Sequence, residues 1–307
     1  MATWNALETQ FGEVADEVKG EWLTGKMTEA LKEVSAIRQG RNVLLYGSAF
    51  LQKPDVPGWA LSLSFEDING LMACLHGMDW SKGLTVILHT PGGVTNATEA
   101  IVQYLRSKFD HIEAIVPTYA MSAGTMISLA CDEVWLGNHS QLGPIDPQMP
   151  LGDRTVSARS VLDQFESARE DILKDVSAAH AWAPILQSMG PSLVRAAEDA
   201  LAYSEEIVAN WLKQWMLAGE PDPLANGQQV AHFFNDASTH KSHGRRIGRA
   251  EALAAGVKVR ELEEDQALQE AVLTAYHLMT LVFTASPTTK GMFTSHNQRW
   301  LKNLVMS

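Results

Sequence analysis

A serine hydroxyl flanked by small residues, where an apolar run gives way to a helical pattern, is a group that can attack a carbonyl. Ser122 is such a group. It lies in Ile115-Val-Pro-Thr-Tyr-Ala-Met-Ser-Ala-Gly-Thr125, with Ala123 and Gly124 beside it. Upstream, Val86-Ile-Leu-His-Thr-Pro-Gly-Gly-Val94 ends another apolar run in two glycines. Gly92 and Gly93 permit backbone that a side chain would forbid, and they let the chain approach a ligand. Downstream, Leu142-Gly-Pro-Ile-Asp-Pro-Gln148 is a third stretch of the same kind. Each apolar run predicts a short buried strand that ends in a tight turn. Asn96, with Glu99 three residues on, has the spacing of a capping box and predicts a helix start. A hydroxyl beside free backbone N–H groups supplies two parts of an acyl-transfer site, a nucleophile and donors for the oxyanion. The same serine can equally be a buried helix cap, and taken alone these residues leave both readings open.

Taken together, His89-Thr-Pro-Gly-Gly93, Ala120-Met-Ser-Ala-Gly-Thr125 and Leu142-Gly-Pro-Ile-Asp-Pro-Gln148 resemble the Clp-protease/crotonase superfamily. In particular they are similar to the branch holding signal peptide peptidase A and the serine dehydrogenase proteinases. The resemblance spans Arg41 to Val259 and covers the two ends of the chain less well. It implies that Ser122 is the nucleophile and that the N–H groups of Gly93 and Ala123 form the oxyanion hole. It implies a polypeptide substrate, bound along Gly92, Val94, Gly143 and Pro144, and it implies no cofactor.

The base is less fixed. Clp peptidases use a histidine after the serine, but the corresponding position here is Pro147, and His139 comes before it. Signal peptide peptidases use a lysine on a following helix, and Lys174 stands at a similar interval, which implies a Ser122–Lys174 dyad. A lysine acts as a base only where burial or nearby positive charge lowers its pKa. Asp171 and Asp175 flank Lys174, and they favour an ordinary solvated lysine instead. The family also places a serine where this chain has Pro144. His139, His180 and Lys241 are the next candidates.

His240-Lys-Ser-His-Gly-Arg-Arg246 is the densest basic cluster. Its arginines can hold a carboxylate or phosphate, and the same run also fits a solvated loop. His180 and His232 lack metal-ligand spacing to any Cys or His, and no metal site is indicated.

The remaining residues bound the protein class. With 24 basic and 36 acidic residues the net charge is −12, which disfavours nucleic acid and anionic membrane surfaces as partners. The chain has only two cysteines, Cys74 and Cys131, both in apolar segments, as buried thiols in a reducing compartment would be. No run approaches the roughly 18 apolar residues of a membrane helix. Glu8, Glu13, Asp16 and Glu17 stand where a signal peptide would be basic and then apolar. A cytoplasmic protein without a membrane span is expected, unlike the usually anchored signal peptide peptidases.

Strands and helices alternate between Val43 and Leu136, which argues for a largely parallel sheet with covering helices, an α/β fold. The resemblance refines this to a crotonase/Clp-type stacked ββα superhelix. Residues 1–40 are expected to form an N-terminal helical extension, 41–260 the peptidase domain, and 261–307 a C-terminal helix and tail. Pro221 to Gly227 and the end from Pro287 read as loops. Apolar stripes before residue 40 and after residue 260 are hard for a monomer to cover, and together with the resemblance they predict a homo-oligomer. Two other functions fit the fold: a crotonase-like acyl-CoA hydratase or isomerase, which lacks its usual acid beside Ser122 here, and a non-catalytic oligomeric scaffold.

Overall fold

The computed structural model describes residues 3–152, 154–190 and 192–304. The chain opens with α1 (Trp4–Glu13), α2 (Lys19–Ile37), β1 (Asn42–Ser48), α3 (Gly58–Leu61) and α4 (Asp67–Leu75). Then come β2 (Leu84–His89), α5 (Thr95–Arg106), β3 (Ile112–Val116), β4 (Tyr119–Ala120), α6 (Ala123–Leu129), β5 (Glu133–Leu136) and β6 (Gln141–Leu142). A hairpin of β7 (Gln148–Leu151) and β8 (Arg154–Ser157) leads into α7 (Ala158–Lys174), α8 (Ala179–Met189), α9 (Leu193–Gln214), α10 (Pro223–Asn235) and α11 (Ala237–His240). The last elements are α12 (Arg249–Ala254), β9 (Val259–Glu261), α13 (Gln266–Ala285), β10 (Thr288–Thr294) and β11 (Arg299–Asn303). They form two compact units, residues 1–142 with 246–307, and residues 143–245.

The first unit is built on a seven-stranded sheet in the order β11-β10-β1-β2-β3-β5-β9. From β1 through β9 the neighbours are parallel, while β10 is antiparallel to both β1 and β11, so the sheet is mixed. Every residue of β1, β2 and β3 is buried, as expected for strands covered on both faces. Val43, Leu45, Ile87 and Ile115 face α2 and α13, whose buried Leu31, Val34, Val272 and Met279 repeat at helical spacing. On the other face Leu44, Tyr46, Val86 and Leu88 meet Leu71 of α4, Leu105 of α5 and Ile127 of α6 around a cavity of only 20 Å³.

The stripes on α2 and α13 that looked uncovered therefore close over the sheet and each other. Residues 1–40 and 261–307 supply helices and strands to this core.

Three local expectations are corrected. The end of the chain is not a loop from Pro287, because β10 and β11 form a hairpin at the sheet edge. Lys290, within β10, is buried against Asp67. Residues 305–307 of that stretch lie outside the described residues. Pro221–Gly227 is not all loop either. Asp222 caps α10 through the Ala225 N–H, Pro223 takes the first turn, and Gly227 lies inside the helix. A Cβ on Gly227 would come within 2.7 Å of the Ala209 carbonyl of α9. Finally, Asn96 does not cap α5, which starts after Val94 without a side-chain cap.

In the second unit, α7, α8 and α9 bury a small core of Ala158, Val161, Met189, Ala197 and Leu201.

Candidate active site

The turn between β4 and α6 sets the geometry. Ser122 has φ 51° and ψ −113°, a left-handed conformation that side chains rarely adopt. Such a residue persists only where its surroundings over-determine it. Here the fastening is visible. Met121 N–H donates to Thr90 C=O at 3.0 Å, and Thr90 N–H to Tyr119 C=O at 2.9 Å. Thr125 Oγ1 donates to Ala120 C=O at 2.8 Å, and Gly124 N–H to Met121 C=O at 2.8 Å. The serine side chain makes no cap to α6, so the helix-cap reading does not hold. Ser122 is partly exposed, and its hydroxyl has no hydrogen-bond partner among the described residues.

The Pro-Gly-Gly turn lies against this elbow. Gly92 has φ 107°, and a Cβ on it would sit 2.7 Å from Ser122 Cβ and 3.1 Å from Ala123 N. Gly92 N–H donates to Thr90 Oγ1 at 3.1 Å. Gly93 forms a bridge with Leu63, where a Cβ would come within 2.2 Å of the Leu63 carbonyl oxygen. Among the described residues neither the Gly93 N–H nor the Ala123 N–H, first of α6, donates to any group. Two free donors thus stand on the two turns that meet at the serine, one of them at a helix N-terminus with its favourable dipole.

The sequence pattern of ClpP-like SDH-type serine proteinases matches residues 57–216. The chain belongs to that family. Two uncharacterized proteins of Methanocaldococcus jannaschii are similar over 87 residues, at 36% and 33% identity. Each match covers 28% of this chain and 30% of the relative.

The other predicted residues fall in different places. Val94 is half exposed at the start of α5. Gly143 and Pro144 are buried at the start of the second unit. Lys174 ends α7 with its side chain 73% exposed and its Nζ 3.7 Å from Glu170 Oε2. The lysine is thus solvated and faces an acidic side chain. His139, His180 and Lys241 are exposed.

His89, in the His-Thr-Pro-Gly-Gly stretch, is buried between Phe50, Tyr119 and Tyr276. Its Nδ1 is 2.9 Å from Thr118 Oγ1. Burial lowers its pKa to about 3, so it is neutral at ordinary pH.

One pair escaped the sequence reading. His243 Nδ1 lies 2.7 Å from Asp146 Oδ1, and the Asp146 side chain is 1% exposed. Gln148 Nε2 donates to the other oxygen at 2.8 Å. A histidine held by a buried carboxylate has one ring nitrogen fixed and the other available. The hints were present: Asp146 lies in the Leu-Gly-Pro-Ile-Asp-Pro stretch and His243 in the basic cluster, but only the fold pairs them. Three other members of that cluster, His240, Arg245 and Arg246, are engaged internally. His240 is buried, with Nε2 2.6 Å from Phe233 C=O and Nδ1 2.9 Å from an Arg245 nitrogen. Arg246 donates to Asn138 C=O at 2.7 Å.

Proposed function

We propose that this chain is a serine peptidase acting on short or unfolded polypeptides, with Ser122 as nucleophile and the Gly93 and Ala123 N–H groups as oxyanion hole. The observation that carries the reading is the left-handed Ser122 beside two N–H groups, its hydroxyl and both amides without a hydrogen-bond partner among the described residues. In this mechanism Ser122 Oγ attacks the peptide carbonyl carbon and gives its proton to a base. The tetrahedral oxyanion accepts hydrogen bonds from the two amides. The intermediate collapses to an acyl-enzyme as the amine leaves with a proton, and water then releases the acid. Gly92, Val94, Gly143 and Pro144 are the proposed substrate contacts, and the proposed peptidase fold over 41–260 is the stacked ββα superhelix.

Lys174 is the base that the resemblance assigns. A second reading gives the role to His243, because its hydrogen bond to buried Asp146 is the support that a histidine base needs. The two separate cleanly in kinetics: the variant that loses turnover, Lys174→Ala or His243→Ala, identifies the base. A fluorophosphonate probe tests the core claim. Labelling of the wild type that vanishes in Ser122→Ala supports the peptidase reading. Absence of labelling in a folded wild type leaves the crotonase-like and scaffold alternatives.

The protein is also proposed to be a cytoplasmic homo-oligomer. The support is a set of exposed large apolar side chains in the first unit: Trp59 at 67%, Phe65 at 58% and Met72 at 54%. Light scattering at micromolar concentration should give a multiple of the chain mass, and a monomeric mass would reject it.

A further inference from the structure

Lys290 is 2% exposed on β10, and Asp67, at the start of α4, is fully buried. Nζ lies 2.8 Å from Asp67 Oδ1 and 2.9 Å from Oδ2. A buried ion pair contributes little stability compared with apolar residues of the same volume, so its presence asks for another reason. The remaining bonds of the pair give one. Lys290 Nζ also donates to Ser62 C=O at 2.9 Å and reaches Ser64 Oγ at 3.3 Å. Asp67 Oδ2 accepts the Ser64 N–H at 2.7 Å. One residue earlier, Ser48 Oγ donates to Leu61 C=O at 2.6 Å. The segment 61–64 is thus fastened on both sides of Leu63.

Leu63 in turn holds the Pro-Gly-Gly turn. Its N–H donates to Gly92 C=O at 2.8 Å, and its C=O accepts the Val94 N–H at 3.0 Å. These two bonds bracket Gly93 and fix its orientation, with its own N–H and C=O turned away from Leu63. We propose that Lys290 and Asp67 are positioning residues: their buried pair holds the Ser62–Ser64 segment, and through Leu63 it aims the Gly93 N–H at the oxyanion. This inference rests on the reading of Ser122 as nucleophile and Gly93 as donor. It adds two residues that touch no substrate and lie far from the glycines in sequence.

The test is the double variant Lys290→Met, Asp67→Leu, which replaces the pair with apolar groups of similar length and leaves no buried charge unpaired. Its fold is checked by circular dichroism and thermal melting. Activity is read as kcat and KM for p-nitrophenyl acetate, and transition-state mimicry as inhibition by phenylboronic acid. Loss of one oxyanion donor costs about 10²–10³-fold in kcat, so a misaimed donor should cost about 10- to 100-fold. We expect that fall in kcat with KM within about twofold, and a matching loss of boronate affinity. A role in stability alone would lower the melting temperature and leave the kcat of folded protein unchanged. A folded double variant with wild-type kcat and boronate binding overturns the proposal. If the double variant does not fold, Asp67→Asn is measured instead: a several-fold fall in kcat at constant KM supports the clamp, and an unchanged kcat overturns it. Failure of the underlying reading looks different, because the wild type itself would then neither hydrolyse the ester nor bind the boronate.

Discussion

At the scale of single residues, Ser122 holds a conformation that favours glycine. Its φ and ψ mirror the extended region, which costs a side-chain residue about 1–3 kcal/mol and glycine almost nothing. Ser122→Gly should therefore raise stability by about 1 kcal/mol, after allowing for the greater freedom of glycine in the unfolded chain, while abolishing probe labelling. Chemical denaturation and labelling of the same sample check both halves. A destabilised Ser122→Gly would show that the backbone there is not strained. The serine and the glycine turn were legible in the sequence because their chemistry is local: a small-residue turn, two glycines, a strand before each. The base was not legible. Burial decides whether a lysine can lose its proton, and the flanking Asp171 and Asp175 could only hint that Lys174 is solvated. The His243–Asp146 contact spans 97 positions, beyond the reach of any spacing rule.

At the scale of elements, the link between α2 and β3 carries a pH dependence. Glu113 is fully buried on β3, and Arg38, just past α2, meets it with two bonds of 2.5 and 2.9 Å. Thr85 Oγ1 donates to the same carboxylate at 2.5 Å. Burial acts to raise the Glu113 pKa, but Arg38, Thr85 and Arg41 outweigh it and hold it below the usual 4.5. A depressed carboxyl pKa stabilises the fold above the unfolded value, and that stability is lost as pH falls through the folded value. Urea midpoints should therefore be flat near neutrality and drop below about pH 4.5. Glu113→Gln should cost about 3–5 kcal/mol at pH 7 and shallow the acid limb. A Glu113→Gln protein with an unchanged acid limb would show that other carboxylates set it. The longer elements from β1 to β5 followed from the sequence, since continuous apolar runs between helical patterns admit few alternatives, whereas the short α3 and β4 did not. The hairpin β10–β11 did not, because Lys290 breaks the apolar pattern for a reason visible only with Asp67 beside it.

At the scale of the whole molecule, the second unit is an insertion whose ends meet on the first. Leu142 and Ile247 form an antiparallel bridge, with N–H to C=O distances of 3.0 and 2.9 Å in the two directions. A hairpin linker of about two to five residues can therefore replace residues 143–245. The shortened chain should melt cooperatively. It should also lose turnover, because Lys174 and His243 both go with the excised segment. A shortened chain that hydrolyses ester at the full rate would remove both from the mechanism and direct the search for a base to the first unit. The division at Leu142 was hidden in the sequence, where the Leu-Gly-Pro-Ile-Asp-Pro stretch runs across it without a break in composition.

The Lys290–Asp67 contact spans 223 positions, and its lysine lies on β10, after every other residue of the clamp. While the chain is being synthesised, Asp67, Leu63 and both glycines emerge long before their anchor. Until β10 slots beside β1, a carboxylate stands in the future interior without its cation, and the Ser62–Ser64 segment lacks its bonds to Lys290. On the proposed roles, a nascent chain that has not yet reached Lys290 carries Ser122 without the anchor of its oxyanion donor.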